Sequence, residues 1–275
     1  MGLQKKIEIA GDEFQELRAQ YFDRGFTDCL KILPLNSLEP LHSVIYDHIG
    51  PFLTPHPSDL PLHEKLRLPL AKSPSYEDWR KLMKRVNDSQ DFADLVQLKS
   101  EEVRTLFSKL FGRDTHPFPV CRFRAQYPGI QRSQYDWHQD EGTYYGTTVK
   151  DLSFWLAATL WISVNGCNKD NSIELIPGSH QGRLEYHKKQ EGLGYFSAQV
   201  PRQFKSVTPY QVETEVGYGL LFHPLTFHRT RVISNPRDYR FSIDLRYVPE
   251  GGWKRERFDV SFRFFLKRLF TKSED

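Results

Sequence analysis

Cysteine, long apolar runs, low-complexity tracts and net charge are all scarce in this chain, and each scarcity removes a class of protein. Only three cysteines occur, Cys29, Cys121 and Cys167, odd in number and widely spaced. They give neither a disulfide framework nor a zinc ribbon, and they fit small buried thiols in a reducing cytoplasm. No run of eighteen apolar residues is present, which excludes an α-helical membrane span. The charge excess is +3 over 275 residues, so neither nucleic acid nor a strongly charged partner is expected. Met1 to Lys6 leads into charged sequence without an apolar stretch, and position six is not Ser or Thr. Neither a secretory leader nor myristoylation is therefore expected, and a cytoplasmic location is. No repeat and no Pro/Gly/Ser-rich linker divides the chain, which favours one domain over residues 1–275. What is present is 39% apolar and 14% aromatic content, enough for a packed core.

The pattern changes twice along the chain. Residues 1–116 read mostly helical. Phe14, Leu17, Tyr21 and Phe22 recur at helical spacing until Gly25, and Asn36-Ser37 can cap a second helix with Leu38, Leu41, Val44, Ile45 and Ile49 on its apolar side. A proline-rich passage from Thr54 to Pro74 reads as a long loop. Trp79 to Val86 and Val103 to Leu110 predict two more helices, the last closed by Gly112. From Pro117 to about residue 250 the period becomes two. Strands are predicted at Val120–Tyr127, Tyr135–Asp140, Trp155–Val164, Ile173–Ile176, Tyr210–Glu215, Gly219–His223, Phe227–Ile233 and Tyr239–Val248. Short strands between turn residues argue for an antiparallel sandwich or jelly roll flanked by α-helices. Residues 251–275 return to helical spacing, with Phe258, Phe262, Phe265, Leu266 and Leu269 in one stripe among basic residues. That helix is read as docked on the sheet, with a homodimer contact or attachment to a membrane surface as alternatives.

The chemistry concentrates in His138-Gln139-Asp140, in His228, and in Arg240 twelve residues further on. On a strand, side chains at i and i+2 point the same way, about 7 Å apart. Both can lean onto one ion, and a distant histidine can close one face of an octahedron. Two histidines and a carboxylate with open positions form the ligand set of non-haem Fe(II) oxygenases. Ser242 shares a strand face with Arg240, and a guanidinium with a hydroxyl can hold a carboxylate. His223 is a nearby competitor to His228 as a ligand, while His180 reads as structural. Arg122, Arg124 and Gln126 line one side of the first core strand. They read either as a solvated face or as contacts to cosubstrate or substrate. Arg246 reads as part of a structural ion pair, and Asp136 as a local hydrogen-bonding group.

In combination these segments resemble the phytanoyl-CoA dioxygenase family of Fe(II)/2-oxoglutarate-dependent oxygenases. Tyr21 to Phe26 resembles the family's opening helix and Gly-Phe turn, and Trp137 to Asp140 its metal motif. Leu160-Trp161 and Asn171 to His180 resemble its central strand and Pro-Gly-Ser-His turn, with Ser172 where Gly is usual. His228-Arg229-Thr230, Asn235-Pro236 and Arg240 resemble its distal histidine and cosubstrate arginine. The resemblance spans most of residues 12–250. It implies a double-stranded β-helix, a cupin-like core, with His138, Asp140 and His228 as iron ligands. It implies that Arg240 and Ser242 hold 2-oxoglutarate, with Trp161 and Thr230 in the cosubstrate pocket and O2 as the oxidant. The implied reaction couples decarboxylation of 2-oxoglutarate to succinate and CO2 with hydroxylation of a small molecule. Asp140 favours hydroxylation over halogenation, because related halogenases carry a small residue there. The resemblance does not carry the substrate. Polar and aromatic residues at Gln131–Tyr145 suggest a polar one, such as a sugar or an amino-acid derivative, with Arg132 able to meet a carboxylate or phosphate. Two other classes stay open: a cupin-like isomerase or lyase using the same triad, and a non-catalytic metal-stabilised binding module.

Overall fold

The computed structural model describes residues 11–112, 115–117, 122–145, 158–193 and 195–249. The expected C-terminal helix, with its dimer contact, lies outside the described residues. The helical part comprises α1 (Gly11–Arg24), the short strand β1 (Leu30–Lys31), α2 (Leu35–Ile49), α3 (Leu62–Lys65), α4 (Tyr76–Asn87) and α5 (Gln90–Phe111). Then come β2 (Thr115–Pro117), β3 (Arg122–Gln126), α6 (Asp140–Tyr145), β4 (Ala158–Ser163) and β5 (Ile173–Leu175). The chain continues through β6 (His187–Lys189), β7 (Phe196–Ala198), β8 (Tyr210–Gln211), β9 (Tyr218–Phe222), β10 (His228–Thr230) and β11 (Arg240–Pro249). Among the described residues, no helix is long and apolar enough to cross a membrane.

Local chemistry explains where the helices begin and end. Ser75 caps α4 through a capping box with Asp78, each side chain bonding the other's backbone N–H. Ser89 accepts the Phe92 N–H at 3.2 Å and starts α5 thirteen residues before the apolar stripe that marked it in the sequence. Gly112 ends α5 at φ +63°, a left-handed cap open to glycine. Helix α2 departs from expectation. It begins at Leu35 behind Pro34, and Asn36-Ser37 lies inside its first turn without capping it.

The strands are all antiparallel and form a jelly roll. The larger sheet runs β1-β9-β4-β11-β2, with β3 also paired to β11, and the smaller runs β10-β5-β8. Strand β11 divides its side chains by parity. Phe241, Ile243, Leu245 and Tyr247 enter the main core with Leu38, Leu41, Ile45, Leu82, Val86 and Phe107 from the helices. Arg240, Ser242, Asp244 and Arg246 face the other way, into a cavity. On the same side as that cavity, Trp161, Leu220 and Phe222 of the larger sheet pack on Ile173 and Leu175 of the smaller one. Helices thus cover one face of the larger sheet, and the second sheet stands over the other.

Three expected strands are shorter than their sequence pattern, and of these Phe227–Ile233 pairs only over β10. Tyr210–Glu215 pairs regularly only at β8, and Thr214 makes an isolated bridge to Cys167. Tyr135–Asp140 contains one isolated bridge, His138 to His228, because the chain turns into α6 at Asp140. The hairpin of β6 and β7 had no predicted counterpart.

One half-buried histidine ties the turn after α1 to this core. His223 donates its backbone N–H to the Gly25 carbonyl at 2.8 Å, and its Nδ1 accepts the Leu225 N–H at 3.1 Å. Burial, with His180 adding to it, pushes the His223 imidazole from 6.5 down to about 3. A depressed pKa means that the folded state resists a proton the unfolded chain accepts. The stability His223 contributes is therefore present above pH 6.5 and is lost as pH falls toward 3. Urea midpoints at pH 7.5 and pH 5 should fall less with acidification in His223→Gln than in wild type.

Candidate metal and cosubstrate site

The two imidazoles meet because their backbones pair. His138 and His228 exchange two N–H···O bonds, each 3.0 Å, so they stand directly opposite one another. Side chains at such a pair share one face, and the ring centroids lie 4.1 Å apart. Each ring is then oriented by its other nitrogen. His138 Nδ1 lies 2.7 Å from the Asp136 carbonyl and His228 Nδ1 lies 2.9 Å from the Thr226 carbonyl. A carbonyl only accepts, so each Nδ1 carries the proton and each Nε2 keeps a lone pair. Asp140, at the first residue of α6, brings Oδ1 to 3.9 Å from His138 Nε2 and 3.8 Å from His228 Nε2. The candidate ligand atoms all lie within 4.8 Å of one another.

Protonation states suit a cation. Burial and the neighbouring His228 push His138 down to about 3, and burial lowers His228 as well. Both rings are thus neutral donors at physiological pH. Burial acts to raise the Asp140 carboxyl, yet Arg246 and the two histidines outweigh it and hold it well below the usual carboxylate range. Arg246 donates Nε to Oδ2 at 3.0 Å and Nη2 to Oδ1 at 2.9 Å, and the Thr159 hydroxyl donates to Oδ2 at 2.5 Å.

A second region of the same cavity is cationic. Arg240 is 3% exposed, and its guanidinium carbon lies 5.2 Å from the Trp161 ring centroid. Its Nε and Nη1 are buried without a hydrogen-bond partner, as is the Ser242 hydroxyl oxygen. Burial pulls the Arg240 pKa down to about 10, which still leaves it charged. A buried, unpaired guanidinium costs several kcal/mol, on the order of the penalties for uncompensated buried ions. An anion bound there removes that cost, so a dicarboxylate with one end on the metal fits the donors present.

The cavity, about 320 Å³, collects most of the predicted site: His138, Asp140, His228, Arg240, Ser242, Trp161 and Thr230 all line it. Gln126 is not among the lining residues; its amide donates to the Arg231 carbonyl at 2.5 Å. Arg132 is also elsewhere, bonded to the Gly192 carbonyl and the Tyr76 hydroxyl. His223 stays out of the cavity, and His180 is structural in setting, with Nε2 on the Phe22 carbonyl. The Pro-Gly-Ser-His turn instead steadies the segment of His228, since Ser179 Oγ accepts the Phe227 N–H beside it.

Several contributors were not singled out from sequence. Gln139, between the two proximal ligands, donates to the Arg183 and Leu225 carbonyls and accepts the Glu185 N–H. Its own N–H goes to His187 Nε2 at 2.9 Å. Thr159 bonds Asp140 as well. Two residues that the sequence did single out have partners here: Arg246, read as part of an ion pair, pairs with Asp140, and Arg124 bonds both Asp244 and the Tyr135 hydroxyl. The parity of β11 was the available signal for Asp244. Nothing in the sequence pointed to His187.

The sequence profile of the phytanoyl-CoA dioxygenase (PhyH) family matches residues 72–241, more than half of the chain. The chain belongs to the phytanoyl-CoA dioxygenase family. No curated protein sequence matches it significantly. Among solved structures, the PhyH-family chain is similar to the epimerase SnoN in complex with Fe3+, alpha ketoglutarate and nogalamycin RO, at TM-score 0.56 and 13% identity. That match covers 86% of this chain and 84% of SnoN. The alpha ketoglutarate dependent carbocyclase SnoK from nogalamycin biosynthesis aligns at TM-score 0.55 and 14% identity, covering 94% and 93% of the two chains. EvdO2 from Micromonospora carbonacea var. aurantiaca, complexed with 2-oxoglutarate, aligns at TM-score 0.52 and 14% identity, covering 89% and 93%. At such identities these likenesses establish the shared fold of the PhyH-family chain.

The packing of the metal motif gives a steric test. A Cβ on Gly142 would stand 2.0 Å from His187 Nδ1, inside the ring that holds the Gln139 N–H. Gly142→Ala should cost roughly 1–3 kcal/mol by overpacking. Calorimetry should show a lower Tm, and Co(II) titration should show weaker binding at the displaced motif.

Proposed function

We propose that this protein is an Fe(II)- and 2-oxoglutarate-dependent dioxygenase that hydroxylates an unactivated C–H bond of a small polar molecule, with succinate and CO2 as co-products. The observation that carries this reading is one cavity holding both a His-Asp-His donor set and a buried guanidinium without an anion. His138 and His228 would hold iron through Nε2 and Asp140 through Oδ1. Arg240 and Ser242 would receive the far carboxylate of 2-oxoglutarate, with Trp161 against the guanidinium and Thr230 on the wall. When bound, iron and 2-oxoglutarate supply the activation of O2 and the two electrons that match those taken from the substrate. The chain's part is orientation and exclusion of water, for which all three ligands are 7% exposed or less.

The remaining wall supports a polar substrate. Arg122 and Arg124 from β3, Asp244 from β11, and Tyr135 and Tyr195 line it. Arg122 is exposed, and Arg124 is held by Asp244 and the Tyr135 hydroxyl. Charged groups of both signs beside phenols suit hydroxyl, amine and carboxylate substituents better than an acyl chain.

Anaerobic addition of Fe(II) and 2-oxoglutarate should produce a weak visible charge-transfer band. His138→Ala and Asp140→Ala should abolish it. Arg240→Ala should raise the 2-oxoglutarate dissociation constant by about 10- to 100-fold through loss of a charged hydrogen-bond donor, while leaving Fe(II) binding largely intact. In air, sugars and amino-acid derivatives should stimulate succinate release, and the product should be one oxygen atom heavier. An unchanged mass with succinate formed would replace hydroxylation by epimerisation, and loss of two hydrogens by ring closure or desaturation. Failure to bind either Fe(II) or 2-oxoglutarate would end the reading.

A further inference from the structure

A metal carboxylate can bind through one oxygen or two, and this chain contains a device that decides between them. Arg246 and Thr159 stand directly opposite one another on β11 and β4. Both are buried, at 4% and 0% exposure, and both reach Asp140. Oδ2 receives the Thr159 hydroxyl at 2.5 Å and Arg246 Nε at 3.0 Å. Oδ1 receives Arg246 Nη2 at 2.9 Å and is the oxygen facing the two imidazole Nε2 atoms, at 3.9 and 3.8 Å. A carboxylate oxygen has two lone-pair directions, so two donors saturate Oδ2, and Oδ1 is the oxygen turned toward the imidazoles.

We propose that Arg246 and Thr159 are positioning residues that fix Asp140 as a one-oxygen metal ligand, leaving the other positions of the ion for cosubstrate and O2. This rests on the metal reading above and names residues that it does not. Two effects of Arg246 on metal binding oppose each other. Its charge repels a cation, and its fork orients the carboxylate. The geometry favours orientation as the larger effect, since Nε and Nη2 both engage and the pair lies among strands that cannot shift independently. The two effects predict opposite signs, which makes the inference testable without turnover.

The experiment is anaerobic Co(II) titration of the full-length protein, read by calorimetry and by visible d–d absorption, in wild type, Arg246→Met, Arg246→Lys and Thr159→Val. If orientation dominates, Arg246→Met raises the Co(II) dissociation constant by about 10- to 100-fold, as loss of a group that orients a metal ligand does. Arg246→Lys keeps the charge but not the fork, so it also weakens binding. Thr159→Val weakens binding by about 2- to 10-fold. The d–d spectra of these variants differ from wild type as Oδ2 becomes available to the ion. If charge dominates, Arg246→Met binds Co(II) more tightly and Arg246→Lys matches wild type; either result overturns the proposal. Should circular dichroism show Arg246→Met unfolded, Arg246→Lys and Thr159→Val decide, and wild-type affinity and spectra in both overturn it. Wild-type protein that binds no Co(II) would instead refute the metal reading on which this rests.

Discussion

The exchange of two backbone hydrogen bonds between His138 and His228 is the contact on which the site depends. It joins positions ninety residues apart and fixes both rings on one face before any ligand is present. The remaining orientation comes from carbonyls, at Asp136 and Thr226, that can only accept and so dictate which nitrogen is left for a metal. Around this contact the fold supplies supports from several directions. Ser179 holds the amide before His228, Gln139 ties the proximal segment to the Arg183, Glu185 and Leu225 backbones, and His187 accepts the Gln139 N–H. Each bond is worth about 0.5–1.5 kcal/mol, a modest amount singly. Their value lies in over-determining a geometry that has little regular secondary structure of its own.

Strand β11 does the same for charge. Its apolar alternates sink into the helix-covered core, so its polar alternates have no choice but to face the cavity. Arg240, Ser242, Asp244 and Arg246 are thereby spaced along one line at the two-residue repeat of a strand. Neighbouring strands complete the row: Arg124 from β3 meets Asp244, and Thr159 from β4 stands opposite Arg246. A single parity choice, made by the hydrophobic side of β11, therefore places Arg240, Asp244 and the Asp140-holding Arg246 together on the cavity wall.

Much of this was legible in sequence because it is written in parity and in residue type. The alternation within Tyr239–Val248 predicted the strand and set Arg240 and Ser242 on one face of it, and the His-x-Asp, distal His and Arg set predicted what gathers in the cavity. The illegible parts have physical reasons. His138 and Asp140 were expected on one strand, yet the ladder stops at one bridge because Asp140 opens α6; ligand convergence survives a change of local structure. The β6 and β7 hairpin carries His187-Lys188-Lys189, with one buried residue among charges, which mimics a loop. Gln126 has the right parity for the cavity, but its amide finds the Arg231 carbonyl first. Long-range hydrogen bonds of that kind leave no periodic trace.

Arg240 and Arg246 differ in their partners where residue type and burial do not distinguish them. Both are arginines on the same face of the same strand, and both are nearly inaccessible, at 3% and 4% exposure. Arg246 has a carboxylate in its fork; breaking such a buried pair costs about 3–5 kcal/mol, so its interaction belongs to the folded protein itself. Arg240 has an aromatic face and no carboxylate among the described residues, and cation–π contact returns about 2 kcal/mol or a little more when desolvated. That falls short of what burying the charge costs. An anion against the guanidinium would make up that deficit. Arg246 is thus neutralised from within the chain, whereas Arg240 leaves room for an anion.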